Sequence, residues 1–288
     1  MKEIKETAMK YLFLLCACAS ILSIVLICAF LFASGVPAMR KIGLTEFLLG
    51  QKWKPGNDIY GILPMILGSI YVTAGAILIG VPIGILTAVF MAKFCQKSVY
   101  RFMKPAVELL AGIPSVVYGF FGLVVLVPFV REFFGQTLGF GGNGASMFTA
   151  SVILGIMILP TIIGVAESSI RAVPENYYEG SLALGATHER SVFFVVLPAA
   201  KSGILAGVIL GVGRAIGETM AVIMIAGNQA RMPKGLFEGV RTLTSNIVME
   251  MGYAAGLHRE TLIATAVVLF VFILLINLSF SILKRRRQ

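Results

Sequence analysis

The sequence predicts an all-α polytopic membrane protein with six transmembrane helices. Of its 288 residues, 58% are hydrophobic and only 13% are charged, whereas soluble domains carry about 25% charged residues. A soluble globule could not bury so much apolar surface and keep a wettable exterior. The apolar residues also fall into six long stretches, and each is long enough for the roughly 20 residues that a helix needs to cross a bilayer.

The predicted spans lie between charged connections. They cover residues 11–36, 64–92, 105–130, 145–166, 202–227 and 261–283. Gly61 and Pro64 favour a non-helical start to the second span, and Pro114 predicts a kink in the third. Apolar residues at helical spacing within 228–260 predict an amphipathic surface helix with Asn246 on its polar face. That helix either packs on the spans as a lid or docks a partner.

Basic residues predict the orientation of the chain in the membrane. Of the 24 Lys and Arg residues, 14 fall on the side that receives both termini and nine on the other, while Arg214 lies inside a span. The basic tail at 284–287 strengthens this bias, so we expect both termini in the cytoplasm. The net charge of +10 then reflects topology and contact with membrane lipid. We expect no nucleic-acid partner.

The chain offers no constellation of residues that predicts catalysis. Its four cysteines lack the spacing of a metal site, and its two histidines, His188 and His258, fall on opposite predicted sides of the membrane. No G-x-x-x-x-G-K-[ST] loop is present to cradle nucleotide phosphates, so any dependence on ATP must come from a partner. We therefore expect that the chain is not an enzyme and has no catalytic residue, metal or cofactor of its own.

The connection at 167–201 carries the most specific motif. It reads E-G-S-L-A-L-G from Glu179 to Gly185, followed after nine residues by V-V-L-P, which ends in Leu197 and Pro198. Small residues let a short helix enter a cleft closely, and glycine permits the sharp turn at its end. Proline suits the first turn of the following span. The alternative is an ordinary amphipathic surface helix.

A charged pair is the second signal. Arg214 and Glu218 fall near the middle of the fifth predicted span, where a charge costs about 2.5–3.5 kcal/mol unless it faces protein or a wet cavity. The i,i+4 spacing puts both on one helical face, where they can pair. Gly203, Gly207 and Gly211 continue that face and predict close contact with another helix. Because a guanidinium fits a tetrahedral oxyanion, the pair predicts either an anion pathway or a structural ion pair.

Hydroxyl groups in the third span are the third signal. Ser115 and Tyr118 follow Pro114 within about one turn. A proline frees a backbone carbonyl in a helix. The two hydroxyls therefore either line a polar pathway or satisfy the kink.

These three stretches, with residues 61–69 before the second span, resemble the PstC-type permease subunits of bacterial phosphate ABC importers. Glu179, Gly185, Leu197 and Pro198 match the EAA loop of such permeases, E-A-A-x-x-x-G followed nine residues later by I-x-L-P. The stretch G-x-G-R-A-x-G-E-T-M-A-V at 211–222 matches the positions associated with the phosphate pathway. The resemblance implies an ABC transmembrane type-1 domain at 59–288, after an N-terminal span and outer loop at 1–58.

The resemblance also implies a type I ABC importer permease architecture and a set of partners. The permease is expected to form a heterodimer with a second permease subunit in the bacterial cell membrane, above two copies of a cytoplasmic ATPase that bind ATP and magnesium. An extracytoplasmic phosphate-binding protein delivers the substrate. Residues 179, 185, 197 and 198 then belong to a cytoplasmic coupling helix and its flank, and residues 115, 118, 214 and 218 to the substrate pathway. The alternatives are the sister permease subunit of the same importer and an ion-coupled secondary anion transporter.

Overall fold

The computed structural model of the chain describes residues 2–137, 139 and 142–285. Within that part, six helices are long and apolar enough to cross a membrane, which confirms the predicted fold class. They are Met9–Ile42, Leu63–Phe94, Ser115–Thr137, Met147–Arg171, His188–Gly217 and Gly256–Ser279. The last residues of the basic tail, 286–288, lie outside the described residues.

The helical elements and one small hairpin follow each other along the chain. The first half contains α1 (Lys2–Ile42), α2 (Leu44–Leu49), β1 (Trp53–Lys54), β2 (Ile59–Tyr60), α3 (Leu63–Val89), α4 (Lys97–Gly112), α5 (Ser115–Phe121) and α6 (Val127–Val130). The second half contains α7 (Met147–Arg171), α8 (Glu175–Ala183), α9 (His188–Ser191), α10 (Leu197–Gly217), α11 (Met220–Ile225), α12 (Leu243–Met251) and α13 (Gly256–Arg285). The antiparallel strands pair Trp53 with Tyr60.

Helix α7 lies at the centre of the bundle, between α3 and α10. Glycines permit the close approach on both sides. A Cβ atom at Gly80 of α3 would lie 2.7 Å from the Gly155 carbonyl oxygen of α7, and one at Gly207 of α10 would lie 3.1 Å from the Val165 side chain. The predicted contact of the α10 glycine face with another helix is therefore confirmed.

Helix α1 is peripheral and packs mainly on α13. A Cβ atom at Gly35 would lie 3.0 Å from the Ala264 Cα, and the Phe32 and Phe270 rings meet edge to face at 6.1 Å. Most apolar side chains over residues 11–30 of this helix are exposed, among them Leu15 and Phe30. Such a face is stable only against lipid or another apolar partner.

The third span differs from the predicted range 105–130. Helix α4 ends at Gly112, Ile113 and Pro114 are extended, and a separate span runs over Ser115–Thr137. The break arises because a residue before proline avoids the helical conformation. Helix α4 also carries Lys97, Arg101, Lys104 and Glu108, too many charges for a membrane core.

The fifth span also differs from its predicted range, 202–227. One continuous helix, which we call the rod, runs over His188–Gly217. It comprises α9, a π-helical segment at Val192–Val196, and α10. Pro198 therefore lies inside the rod and does not open a span. The π-helical turn directly before it accommodates the missing proline N–H.

The connection at 228–260 contains α12 and the first residues of α13, and the predicted orientation of the amphipathic helix is wrong at α12. Asn246 is fully buried, whereas Val248 is 52% exposed. The polar face points inward because Asn246 Oδ1 accepts a hydrogen bond from Arg241 Nη1 at 3.0 Å.

The bundle has two ends, which we name for their connections. One end, the hairpin end, is formed by residues 43–62, 142–146 and 218–255. The other, the short-helix end, is formed by residues 95–114 and 172–187.

Candidate functional site

Arg214 is a half-buried cation with no counter-ion in the part of the chain that the structure describes. It lies in the last turn of α10, and its Nη1 donates a hydrogen bond of 3.5 Å to Thr161 Oγ1 of α7. In the described residues, no carboxylate oxygen lies within 4.0 Å of its guanidinium. The negative end of the α10 dipole partly balances the charge, but most of the hydrogen-bonding capacity of the guanidinium stays available.

The predicted pairing of Arg214 with Glu218 is wrong. The helical face that would align the two ends at Gly217, and Glu218 is extended, with φ −67° and ψ 133°. Its Oε1 instead accepts hydrogen bonds from the backbone N–H groups of Thr219 and Ala221, at 3.1 and 3.2 Å. Glu218 therefore caps the beginning of α11, where a carboxylate also complements the helix dipole. This arrangement removes the structural ion-pair alternative.

Tyr118 joins Arg214 in this region, but its hydroxyl has a structural task. The hydroxyl donates a hydrogen bond of 2.9 Å to the Leu110 carbonyl. The usual helical donor to that carbonyl would be residue 114, a proline without an N–H, and the Ile113 N–H makes a longer bond to it, at 3.4 Å. Tyr118 is 7% exposed and interacts electrostatically with Arg214. The hydroxyl was predicted either to line a polar pathway or to bond a carbonyl at the kink, and in the structure it bonds the carbonyl. Ser115, the first residue of α5, is half-buried.

Helix α8 projects from the short-helix end. None of its residues is buried, and Leu184 beyond its end is 91% exposed. Gly185 has a φ of +84°, which confirms the predicted sharp turn. Its N–H donates to the Leu182 carbonyl at 2.9 Å, and the Ala186 N–H donates to the Ser181 carbonyl at 3.2 Å. These two bonds form a Schellman motif.

The remaining residues of the motif take different positions. Glu179 is exposed on α8, where it is free to meet a partner. Leu197 is half-buried and packs against the apolar cluster that holds the short-helix end together. Pro198 is exposed on the rod.

A charged network at the short-helix end was not predicted. The side chain of Glu167, at the end of α7, is only 2% exposed. Its carboxylate accepts hydrogen bonds from Tyr100 Oη at 2.7 Å, Lys104 Nζ at 2.9 Å and Arg171 Nε at 2.8 Å. The hydrogen bonds to Glu167 raise the pKa of Tyr100 and of Lys104, which keeps both protons in place at physiological pH.

The Glu167 network fixes three elements to each other. Tyr100 and Lys104 belong to α4, while Arg171 also donates a hydrogen bond of 2.8 Å to the Met91 carbonyl at the end of the α3 span. The i,i+4 spacing of Glu167 and Arg171 was a usable signal for half of the network. No local signal links Glu167 to residues more than 60 positions earlier.

A second charged network lies at the hairpin end and was also not predicted. Glu250 accepts hydrogen bonds from Trp53 Nε1 at 2.9 Å and Arg241 Nη1 at 2.6 Å. Its Oε2 lies 2.8 Å from His258 Nε2. Glu250 thus joins the β-hairpin, α12 and α13. The residues are up to 197 positions apart, so their pairing has no periodic signature.

The comparisons with known proteins agree with this fold. The family described as "Binding-protein-dependent transport system inner membrane component" matches residues 80–288. A probable ABC transporter permease protein, YqgH of Bacillus subtilis, is 36% identical and covers 100% of this chain and 93% of its own. The phosphate transport system permease protein PstC of Mesorhizobium japonicum is 37% identical, over 85% of this chain and 80% of its own.

Solved structures show the same architecture at low identity. A bacterial alginate ABC transporter matches with a TM-score of 0.65 at 18% identity, over 99% of this chain and 96% of the matched chain. An inward-facing methionine ABC transporter matches with a TM-score of 0.57, over 79% and 94%. The chain belongs to the family of binding-protein-dependent transport system inner membrane components and is a multi-pass membrane protein.

Proposed function

We propose that this chain is the PstC-type permease subunit of an ATP-driven phosphate importer. Relatives named as phosphate transport system permease proteins support the substrate, at 37% identity in Mesorhizobium japonicum and 36% in Haemophilus influenzae. The observation that carries the proposal is the Arg214 guanidinium, which lacks a counter-ion in the described chain. A cation retained inside a membrane span without a carboxylate suits an anionic substrate.

Arg214 can hold phosphate without trapping it. The planar guanidinium donates two parallel hydrogen bonds to a tetrahedral oxyanion. A conduit also needs release, because a substrate bound too tightly cannot leave. The C-terminal end of α10 at Gly217 and the Glu218 carboxylate follow Arg214 by three and four residues. Both place negative charge near Arg214 and weaken the capture of an anion. Glu218 and Ser115 stay proposed as pathway residues, and Tyr118 is proposed to position the pathway wall.

The short-helix end is proposed to face the cytoplasm and to dock the ATPase. The projecting helix α8, with Glu179 exposed and Gly185 closing it, suits insertion into a surface cleft, and Leu197 ties the following helix to the core. The proposed assembly contains a second permease subunit, two ATPase copies that bind ATP and magnesium, and an extracytoplasmic phosphate-binding protein at the hairpin end. ATP hydrolysis then occurs on the partner, and this chain has no catalytic residue.

Two alternatives remain distinguishable. The sister permease subunit would share the fold, but relatives that match 85%, 78% and 94% of this chain carry the name PstC. An ion-coupled secondary transporter would not need α8 or its closing turn. Dependence of phosphate uptake on a co-purifying ATPase separates the ABC importer from the ion-coupled transporter.

The first test combines co-purification with a variant of Gly185. From the tagged chain in native membranes we expect an ATPase and a second permease subunit by mass spectrometry, and ATP-driven uptake of radiolabelled phosphate after reconstitution. Gly185→Val should lose both the ATPase and the uptake. There is open space around this glycine, but a β-branched residue at a φ of +84° costs about 1–2 kcal/mol or more. Gly185→Asn, which tolerates that backbone, should keep most of the activity.

The matched control for Gly185 is Gly180→Ala. Gly180 lies on the same helix, also in open space, but without a positive φ. Alanine there should leave docking intact, because it favours the helix by about 0.5–1 kcal/mol. Normal uptake by Gly185→Val, or uptake driven by an ion gradient without ATP, would refute the coupling proposal.

Orientation is tested by labelling single cysteines in a variant that lacks the four native ones. Asn57 is exposed at the hairpin end, and Leu184 is exposed at the other end. With an impermeant thiol reagent, Asn57→Cys should react in intact cells, while Leu184→Cys should react only after the membrane is opened. The reverse pattern would place both termini outside.

A further inference from the structure

Helix α8 is attached to the rest of the chain by very little packing. None of its residues is buried, and its contact with the apolar cluster of the short-helix end is made by the half-buried Tyr178. Its ion pair between Glu175 and Lys93 spans 3.2 Å, but the Glu175 side chain is 58% exposed. An exposed pair of this kind contributes little rigidity. The position of α8 therefore depends on more specific contacts.

Two side-chain hydrogen bonds connect α8 to α9. The Tyr178 hydroxyl lies 2.7 Å from His188 Nδ1, and the Ser191 hydroxyl donates to Ser181 Oγ at 2.9 Å. On each helix the two bonded residues are three positions apart, which is about one helical turn, so the two bonds are neighbours. Ser191 is fully buried, where a hydrogen bond is shielded from exchange with water.

Helix α9 is the first part of the rod that carries Arg214. The rod is helical without interruption from His188 to Gly217, so Arg214 lies about 39 Å from His188 along the helix at 1.5 Å per residue. A displacement of α9 therefore moves the whole rod against α7. The rod places the two hydrogen bonds at one end and the candidate phosphate contact near the other.

Ser181 is also where this chain departs from the motif that it resembles. The EAA loop has alanine at this position, which could not accept the hydrogen bond from Ser191. In this chain the serine hydroxyl makes a contact between α8 and α9. The departure thus has a structural consequence that belongs to this sequence.

We infer that the 178–188 and 181–191 hydrogen bonds are the joint through which α8 positions the rod during transport. Tyr178, Ser181 and Ser191 are then positioning residues: they touch neither phosphate nor nucleotide. The inference rests on the proposed function, because it assigns a route for the movement that the ATPase imposes on α8. Ordinary packing of α8 predicts instead that losing these hydroxyls leaves coupling unchanged.

The test uses the whole reconstituted complex and measures phosphate transported per ATP hydrolysed. Tyr178→Phe removes only a hydroxyl and keeps the ring, over which Lys93 Nζ lies at 5.2 Å. Ser191→Ala removes the buried hydroxyl of the second bond. The double variant should retain the ATPase and its hydrolysis rate but lose about five-fold or more in phosphate per ATP, which is a typical coupling loss.

The matched control is Ser168→Ala. Ser168 is exposed on α7, outside the docking helix α8, and its hydroxyl donates a hydrogen bond of 2.8 Å to the Gly164 carbonyl of its own helix. It should transport normally. An unchanged ratio in the double variant, or a loss of ATPase from its complex, would overturn the inference, because the hydroxyls would then be dispensable or merely structural. Phosphate transport by the unmodified complex without ATP would instead refute the proposed function.

A covalent replacement of the joint provides a second measurement. Ser181→Cys with Ser191→Cys, in a chain without the native cysteines, places two thiols where the hydroxyl oxygens lie 2.9 Å apart. Oxidation should restore the phosphate-per-ATP ratio when Tyr178→Phe is also present, and reduction should lower it again. Uptake abolished by oxidation would mean that the joint must open in each cycle, which contradicts the inference.

Discussion

Arg214→Gln should abolish phosphate uptake while the complex still assembles. A hydrogen bond to a charged group contributes about 1.5–3 kcal/mol, so each such bond lost from the phosphate contact should lower uptake roughly 10- to 100-fold. Assembly should survive because, among the described residues, this cation makes a single long hydrogen bond, to Thr161 at 3.5 Å. The measurement is uptake of radiolabelled phosphate beside the amount of complex in the membrane.

Arg214→Lys separates the phosphate contact from a purely structural role. Because Glu218 is not its partner, the remaining structural role for Arg214 is to place a positive charge at the C-terminal end of α10. Lysine supplies that charge equally well but lacks the planar fork. We expect only partial uptake by the lysine variant, and full uptake would contradict the pathway role. Lys201→Gln, an exposed cation on the same rod, is the matched control and should transport normally.

Glu167→Gln should destabilise the short-helix end more than any exposed charge change. It leaves Lys104 and Arg171 without their shared carboxylate, and the one amide oxygen of glutamine replaces two carboxylate oxygens that accept from three donors. Breaking a buried pair costs about 3–5 kcal/mol, but these cations are 32% and 45% exposed and can turn toward water. We therefore expect a loss of roughly 2–3 kcal/mol, after that discount for solvent screening.

The measurement for Glu167 is the melting temperature of the purified permease in detergent. Glu108→Gln is the matched control, because its carboxylate lies 4.0 Å from the same Lys104 Nζ but is 66% exposed. The control should melt almost as the unmodified protein does. Equal melting temperatures for the two variants would show that the Glu167 network does not hold α4 against α7.

The sequence by itself determined the class and number of the spans. Long apolar stretches predict membrane helices, because a bilayer leaves every backbone polar group to be satisfied within its own segment. The sequence also predicted the turn at Gly185, because a sharp turn at the end of a short helix needs a residue that adopts a left-handed backbone conformation. The glycines of α10 predicted close contact with another helix, and they pack on α7.

Only the tertiary structure decided where the helices break and which charges meet. Spacing alone put Arg214 and Glu218 on one face, but the helix ends between them, and Glu218 caps α11 instead. Asn246 was assigned to a polar outer face and is buried against Arg241. The partners of Glu167 and Glu250 come from distant parts of the chain, and such pairing follows from helix packing. A periodic pattern reports the environment of one helix at a time, so it cannot contain that information.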